Sequence, residues 1–365
     1  MSTSDVVRVL IAEDSATLRD LLRGILESDP AITVVGEART GAEAVSMALA
    51  LDPDLIMMDV HMPVMDGLEA TREIMSRHPT PIIIVSSSST ADDVSMSLEA
   101  VLGGALLLVR KPDDPSSDDF DARQSHLVTM VKALSQVKVV RRAPGFARAS
   151  GVQRAIPAPP DAGVSRRLPV RGPRSPARVV AIAASTGGPA AIARILRALP
   201  ADYPIPILVV QHIALGFGSG FVDWLGTVCP LSVRVAQHGE RPSGGAVYVA
   251  PDDTQFGLQA DGTMFVDTSP TIGGFRPSAT SLFDSAARAH GAGVVAVILT
   301  GMGSDGVSGL RMVRAARGFV IAQDEATSVV YGMPREAVAA GTVDVVLPLD
   351  DIASMLMTLK EPRPQ

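Results

Sequence analysis

Short apolar runs recur along both halves of the chain, each followed by a segment whose apolar positions repeat at the helical period. In the first half the runs predict strands at Val6–Ala12, Thr33–Ala38, Leu55–Asp59, Ile82–Val85 and Ala105–Val109, with helices between them, such as Ala16–Leu26 and Gly41–Leu51. In the second half they predict strands at Val179–Ala184, Ile205–Val210, Ala246–Val249, Val294–Leu299, Phe319–Ala322 and Asp344–Leu347, with a helix over Ala190–Leu199. Strands alternating with helices give parallel sheets covered by helices, so the chain reads as two α/β units. Asp261-Gly262 between two short strand-like runs predicts a tight hairpin in the second unit. No fixed-period internal repeat is present.

Charge marks where the units part. Between Arg141 and Arg178 stand nine arginines against one acid, Asp161, a local charge of +8 that leaves the remainder at −15. The segment is rich in Pro, Ala and Gly, as in Pro157-Ala158-Pro159-Pro160, and has little to bury, which predicts an extended or disordered linker. It reads as a solubilising spacer, or as a basic tether for an acidic partner. The division is drawn at residues 1–126, 127–175 and 176–360.

Composition narrows the class. Hydrophobic residues make up 47% of the 365, enough for packed cores. No run approaches the ~18 apolar residues of a membrane span, and the start, Met1-Ser2-Thr3-Ser4-Asp5, lacks the form of a secretory signal. One cysteine, Cys229, excludes an intrachain disulfide and a thiolate zinc cluster, so a reducing, cytoplasmic setting is expected. The net charge of −7 argues against a dedicated nucleic-acid binder.

Chemistry gathers where strands stop. Glu13-Asp14 follows the first strand and Asp59 ends the third. In an open parallel sheet such strand ends converge on one crevice. Three carboxylates there repel unless a hard cation joins them, and oxygen-only ligation suits Mg²⁺. Ser86 closes the fourth strand, and Lys111 follows the fifth ahead of Pro112. A carboxylate nucleophile, a metal site and oxygen clamps form a phosphoryl-transfer set. Taken singly, each acid is as well explained as a helix cap and Lys-Pro as a turn; their joint order is what points to chemistry.

Glu13-Asp14-Ser15, Asp59-Val60-His61-Met62-Pro63-Val64-Met65-Asp66-Gly67, Ser86 and Lys111-Pro112 resemble the receiver domain of two-component response regulators over about residues 5–125. The resemblance implies a flavodoxin-like fold and Asp59 as phosphoacceptor. It also implies Mg²⁺ on Glu13, Asp14, Asp59 and the His61 backbone carbonyl, with Ser86 and Lys111 on the phosphate. One position departs: Leu108 stands where the family carries an aromatic rotor, so the usual hydroxyl-to-aromatic switch cannot operate in its ordinary form.

In the second unit, strand Val179–Ala184 runs into Ser185-Thr186-Gly187-Gly188-Pro189. The glycines allow a sharp turn and Pro189 suits a helix's first turn, which would set Ser185 beside N–H groups able to hold an oxyanion. Ala183-Ala184-Ser185-Thr186-Gly187 nearly matches the G-x-S-x-G nucleophile elbow. A phosphate-cradling loop is the competing reading, and it lacks both glycine fingerprints. His212 follows the next strand and Asp305 follows strand Val294–Leu299, so all three residues leave carboxyl ends of parallel strands. Triads are defined by such geometry and not by chain order.

Ser185-Thr186-Gly187-Gly188, Gln211-His212, Arg276-Pro277-Ser278, Leu299-Thr300-Gly301-Met302-Gly303-Ser304-Asp305-Gly306, Gln323-Asp324-Glu325 and Tyr331-Gly332-Met333-Pro334 resemble the catalytic domain of chemotaxis protein-glutamate methylesterases over about residues 176–360. Receiver, linker and this domain in this order make up that family's architecture, the C-terminal part being a doubly wound parallel α/β hydrolase. The resemblance implies Ser185 as nucleophile, His212 as general base and acid, Asp305 as its orienting carboxylate, and the Met302 amide as an oxyanion donor. It implies hydrolysis of receptor glutamate methyl esters to release methanol, and deamidation of receptor glutamines, without a cofactor for the hydrolase. Implied partners are a phosphodonor histidine kinase and methyl-accepting chemoreceptors, with no nucleic acid and no membrane insertion. Ala183 replaces a usual glycine, and Ile213-Ala214-Leu215-Gly216-Phe217 departs from the common Met-Pro continuation. The expected control is a receiver that covers the triad until phosphorylated. The alternatives are the same hydrolase serving a non-swimming array, and a receiver with a non-catalytic output.

Overall fold

The computed structural model describes residues 6–86, 91–112, 120–137, 139, 172–173 and 175–359. The first unit runs β1 (Val7–Ala12), α1 (Ala16–Glu27), β2 (Ile32–Ala38), α2 (Gly41–Leu51), β3 (Leu55–Asp59), α3 (Gly67–Arg77), β4 (Ile82–Ser86), α4 (Ala91–Gly103), β5 (Leu107–Arg110) and α5 (Phe120–Leu134). Ser15, Thr40 and Asp66 each accept a backbone N–H three residues ahead, which is why α1, α2 and α3 start where they do. The five strands pair in parallel in the order β2-β1-β3-β4-β5. One face is sealed by Leu22 and Leu26 of α1 with Leu127 and Val131 of α5, the other by α2, α3 and α4.

The second unit runs β6 (Val179–Ala184), α6 (Gly188–Arg197), β7 (Ile207–Gln211), α7 (Gly218–Val228), β8 (Ser232–Val235), β9 (Ala246–Val249), β10 (Gln255–Leu258) and β11 (Met264–Asp267). It continues through α8 (Ala279–His290), β12 (Val294–Ile298), α9 (Val307–Ala315), β13 (Phe319–Gln323), α10 (Met333–Ala339), β14 (Val345–Leu347) and α11 (Leu349–Thr358). Seven strands pair in parallel in the order β14-β13-β12-β6-β7-β9-β8. Along β6, Val180 and Ile182 face a layer with Ile192 of α6, Phe221 of α7 and Ile352 of α11. Val179 and Ala181 face α8, α9 and the antiparallel β10–β11 hairpin. This is the helix-covered parallel sheet that the apolar runs predict, doubly wound as the resemblance implies.

Every predicted strand is present, with ends within two residues of the sequence reading. Strand β8 was not predicted: it is a short edge strand whose residues are mostly exposed, so it has no apolar run to announce it. The boundary drawn at residue 126 needs correction, because α5 continues to Leu134 and Leu127, Val131 and Leu134 belong to the first unit's core. Nearly all of the arginine-rich segment lies outside the described residues.

The two units meet. A single apolar cluster runs from α2–α4 of the first unit into α6, α7 and α11 of the second. Helix α4 lies so close to α7 that a Cβ built on Gly220 would stand 2.3 Å from Val94 Cγ1. A backbone bond also crosses the boundary, with the Gly187 N–H donating to the Leu106 carbonyl at 3.2 Å.

Candidate active site and phosphoacceptor pocket

In the first unit Glu13 and Asp14 follow β1 and Asp59 ends β3; these strands are sheet neighbours, and chain progression reverses between them. That is the crevice where open α/β sheets bind ligands. Glu13 and Asp59 are buried and Asp14 is exposed, and one carboxylate oxygen from each can be chosen so that all lie within 4.8 Å of one another. Arg19 donates to the Glu13 and Asp14 carbonyls at 2.7 and 2.9 Å, which fixes the loop carrying both acids. Lys111 Nζ bridges Glu13 and Asp59 at 2.9 Å to each.

Electrostatics here are crowded. Burial pushes the Asp59 carboxyl above the usual range, against the pull of Lys111 and of the His61 and Val60 N–H groups. Burial and the neighbouring Asp59 push Glu13 upward too. Lys111 loses solvent, yet Asp59 and Glu13 hold it above its ordinary value. Asp59 Oδ1 is buried with no hydrogen-bond partner among the described residues. An unpartnered buried carboxylate oxygen beside two further carboxylates, all hard oxygen donors, fits a divalent cation such as Mg²⁺. Ser86, fully buried, closes β4 next to β3, where Asp59 pairs with Val85.

In the second unit the residues singled out in sequence leave three adjacent strands: Ser185 after β6, His212 after β7 and Asp305 beyond β12. Chain progression reverses between β6 and β12, so this too is a switch point. The turn after β6 is pinned from several sides. Ser185 N–H donates to the Thr300 carbonyl at 3.0 Å, and Thr300 Oγ1 donates to the Thr186 carbonyl at 2.9 Å. Gln211 Nε2 donates to the carbonyls of Ser185 and His212, tying the two turns together. Gly187 opens α6 with φ 76°, and a Cβ there would meet Val329 at 2.6 Å, so glycine is required twice over.

His212 Nε2 lies 3.0 Å from Asp305 Oδ2. Asp305 is enclosed by donors: Ser278 Oγ at 2.9 Å, and the N–H groups of Ala279, Thr280 and Gly306 at 2.7, 3.1 and 2.8 Å. Two of those amides open α8, so the carboxylate sits at a helix N-terminus. Burial works against the anion, but His212, Ala279 and Ser278 outweigh it and hold the Asp305 carboxyl below the usual range. His212 Nδ1 is buried and has no hydrogen-bond partner among the described residues. The Phe275 ring lies flat on the imidazole, centroids 4.3 Å apart and planes within 8°.

Ser185 and His212 line one cavity of about 690 Å³, together with Phe275, Met302 and, from the first unit, Leu106–Lys111 and α5. Leu108, buried at the rotor position, is among the lining residues, so the departure from the receiver pattern sits at the shared boundary. The sequence reading missed the roles of Phe275 and Ser278. Ser278 carried a signal, a serine ahead of an apolar helical run; Phe275 carried none.

Comparison with known proteins supplies what geometry does not. The family model described as CheB methylesterase matches residues 180–356, and that of the response regulator receiver domain matches residues 9–117. The protein-glutamate methylesterase/protein-glutamine glutaminase 4 of Myxococcus xanthus is 50% identical over 353 residues, covering 97% of each chain. Enzyme 3 of the same description from Anaeromyxobacter dehalogenans is 51% identical, covering 96% of this chain and 98% of its own. The crystal structure of the Thermotoga maritima CheB methylesterase catalytic domain is 40% identical over 50% of this chain and 98% of that one, with a TM-score of 0.49.

Proposed function

Because the chain belongs to the protein-glutamate methylesterase/protein-glutamine glutaminase family, we propose that Ser185, His212 and Asp305 carry its reaction and that Asp59 controls it. The protein is a response-regulator methylesterase of chemotaxis, hydrolysing methyl esters on receptor glutamates and amides on receptor glutamines. The observation that carries the triad is the His212–Asp305 contact, with the carboxylate held at the start of α8.

Asp305 accepts the Nε2 proton, so the imidazole's free base is Nδ1. The Ser185 hydroxyl passes its proton to Nδ1 as Oγ attacks the side-chain carbonyl carbon. The resulting oxyanion is met by the Met302 N–H. Collapse expels the methoxy oxygen, which takes the proton from Nδ1 and leaves as methanol; an amide substrate expels ammonia. Water then gives a proton to Nδ1 and attacks the acyl-enzyme, releasing the glutamate carboxylate and restoring the hydroxyl. Asp305 stays ionised throughout and stabilises the imidazolium, which is what its depressed proton affinity provides.

In the receiver, an Asp59 oxygen takes the phosphoryl group from a histidine kinase of the cytoplasm. Lys111 and Ser86 contact the phosphoryl oxygens. Mg²⁺ held by Glu13, Asp14, Asp59 and the His61 carbonyl would neutralise their charge. The receiver lies against the hydrolase cavity, which supports control by occlusion: a receptor segment cannot reach Ser185 while β5 and α5 line its approach. Phosphorylation adds about −1.5 to −2 charges at Asp59, whose ion-pair partner Lys111 itself lines the cavity, and shifts that docking. Methanol release from methylated receptor, with and without a small phosphodonor, tests both halves. No release, or release unaltered in Ser185→Ala, overturns the triad.

A further inference from the structure

A hydrogen bond to Asp305 holds His212 at one edge only. It holds Nε2 but only limits how the ring turns about its Cβ–Cγ bond, and such turning re-aims Nδ1, the nitrogen assigned above to Ser185. Among the described residues Nδ1 has no hydrogen-bond partner to resist that motion. Phe275 fixes the plane: its ring covers a face of the imidazole at 4.3 Å and 8°.

Phe275 is itself held. Its N–H donates to the Ile272 carbonyl and its carbonyl accepts from the Ile272 N–H, both at 3.1 Å. The same carbonyl accepts from Gln255 Nε2 at 3.1 Å. The next residue, Arg276, is anchored to Asp253 at 2.7 Å through Nε and to the Thr268 carbonyl at 3.3 Å. Three residues after Phe275, Ser278 starts the cluster of donors around Asp305. One short stretch, residues 275–280, therefore orients two members of the triad.

We propose that Phe275 is a positioning residue for the esterase reaction: its ring sets the plane of His212 so that Nδ1 faces Ser185, and its electron-rich face stabilises the imidazolium that forms as Ser185 loses its proton. The proposal rests on the triad reading given above. Flat stacking needs an aromatic ring of any kind, whereas filling the space needs only bulk. Phe275→Leu keeps most of the bulk and removes the ring; Phe275→Tyr keeps the ring.

The test is methanol release by the full chain, with phosphodonor, from a chemoreceptor carrying glutamate methyl esters, resolved into kcat and KM. Small misplacements of a catalytic group cost roughly tenfold to a hundredfold, so Phe275→Leu is expected to lower kcat by about tenfold or more with KM nearly unchanged, while Phe275→Tyr recovers most of it. A purely structural role would depress both variants alike or move KM. Retained kcat in Phe275→Leu, or equal losses in the Leu and Tyr variants, overturns the proposal. If the Leu variant melts below the assay temperature, Phe275→His against Phe275→Met repeats the contrast, one flat ring against none, with the same readings. Ser185→Ala run in parallel separates the two ideas: turnover there sinks the triad, whereas an inactive Ser185→Ala beside a fully active Phe275→Leu sinks only the stacking.

Discussion

In the receiver sheet chain progression reverses between β1 and β3; in the hydrolase sheet it reverses between β6 and β12, and each reversal carries a site. The two crevices share this architecture and differ in charge. The receiver's crevice crowds Glu13 and Asp59 around one ammonium, buries them and raises their affinity for protons. The hydrolase's crevice holds one carboxylate among five donors and lowers its affinity. A site short of positive charge is suited to a metal and an incoming phosphoryl group. A site whose anion is already satisfied by the protein's own donors holds that anion as a fixed partner for His212. One fold rule thus produces a crowded acidic crevice in one unit and a fully partnered carboxylate in the other.

The contrast breaks most sharply at the two acceptor residues. Ser185→Ala should abolish methanol release, since losing a triad member typically costs ~10⁴ to 10⁶ in kcat, with His212→Gln similar and Asp305→Asn milder. Asp59→Asn should block labelling by a small phosphodonor and remove activation while basal release persists. If Asp59→Asn were as dead as Ser185→Ala, the receiver would be part of the catalyst and not its control.

A smaller effect is expected on removing the receiver. A chain beginning near residue 175 should exceed the basal rate of the full protein, because Leu106–Lys111 no longer line the cavity. An equal or lower rate would mean that the receiver only activates.

Leu108 sharpens the boundary between the halves. Leu108→Ala should lower receiver stability by about 2–5 kcal/mol, the usual cost of emptying a packed leucine site, as read from denaturant melts. The fold-activation by phosphodonor should stay nearly unchanged in folded protein. Loss of activation with normal stability would make position 108 the switch.

The smallest effect separates the halves by pH. Glu13 and Asp59 bind protons more tightly folded than unfolded, so without Mg²⁺ receiver stability should fall as pH rises from about 4 through their raised values. Lys111 remains charged throughout that range. Asp305 has the opposite sign: its contribution is complete above the ordinary carboxylate range and is lost as pH falls through its lowered value. Fluorescence of Trp224, the sole tryptophan, follows the hydrolase, and circular dichroism follows both units. Saturating Mg²⁺ should flatten the receiver's slope alone. Slopes of the same sign in both units would contradict the electrostatic contrast.

Most of this architecture was legible because parallel strands are written as local apolar runs and their ends carry the chemistry. Asp59 is the last residue of β3, and Ser185 and His212 directly follow β6 and β7, all where the runs stop. What escaped depends on contacts distant in sequence. Phe275 meets His212 across 63 positions, and nothing near either residue encodes a stack. The Leu106 carbonyl meets the Gly187 N–H through backbone alone, which leaves no side-chain signature. The first boundary fell short because α5 is weakly amphipathic and its inner face, Leu127 and Val131, reads as a core stripe only once α1 is beside it.

Gly220 carries a consequence of its own. Glycine inside a helix costs about 1 kcal/mol relative to alanine, so Gly220→Ala would favour α7 in isolation. The added methyl would overlap Val94 and wedge the receiver away from the hydrolase. One carbon atom would thus raise the endurance of the catalyst and loosen its restraint together. Each ~1.4 kcal/mol of lost docking multiplies the undocked fraction about tenfold while that fraction is small. Residue 220 would then set the idle speed of the enzyme, leaving the phosphorelay to work over a narrower range above it.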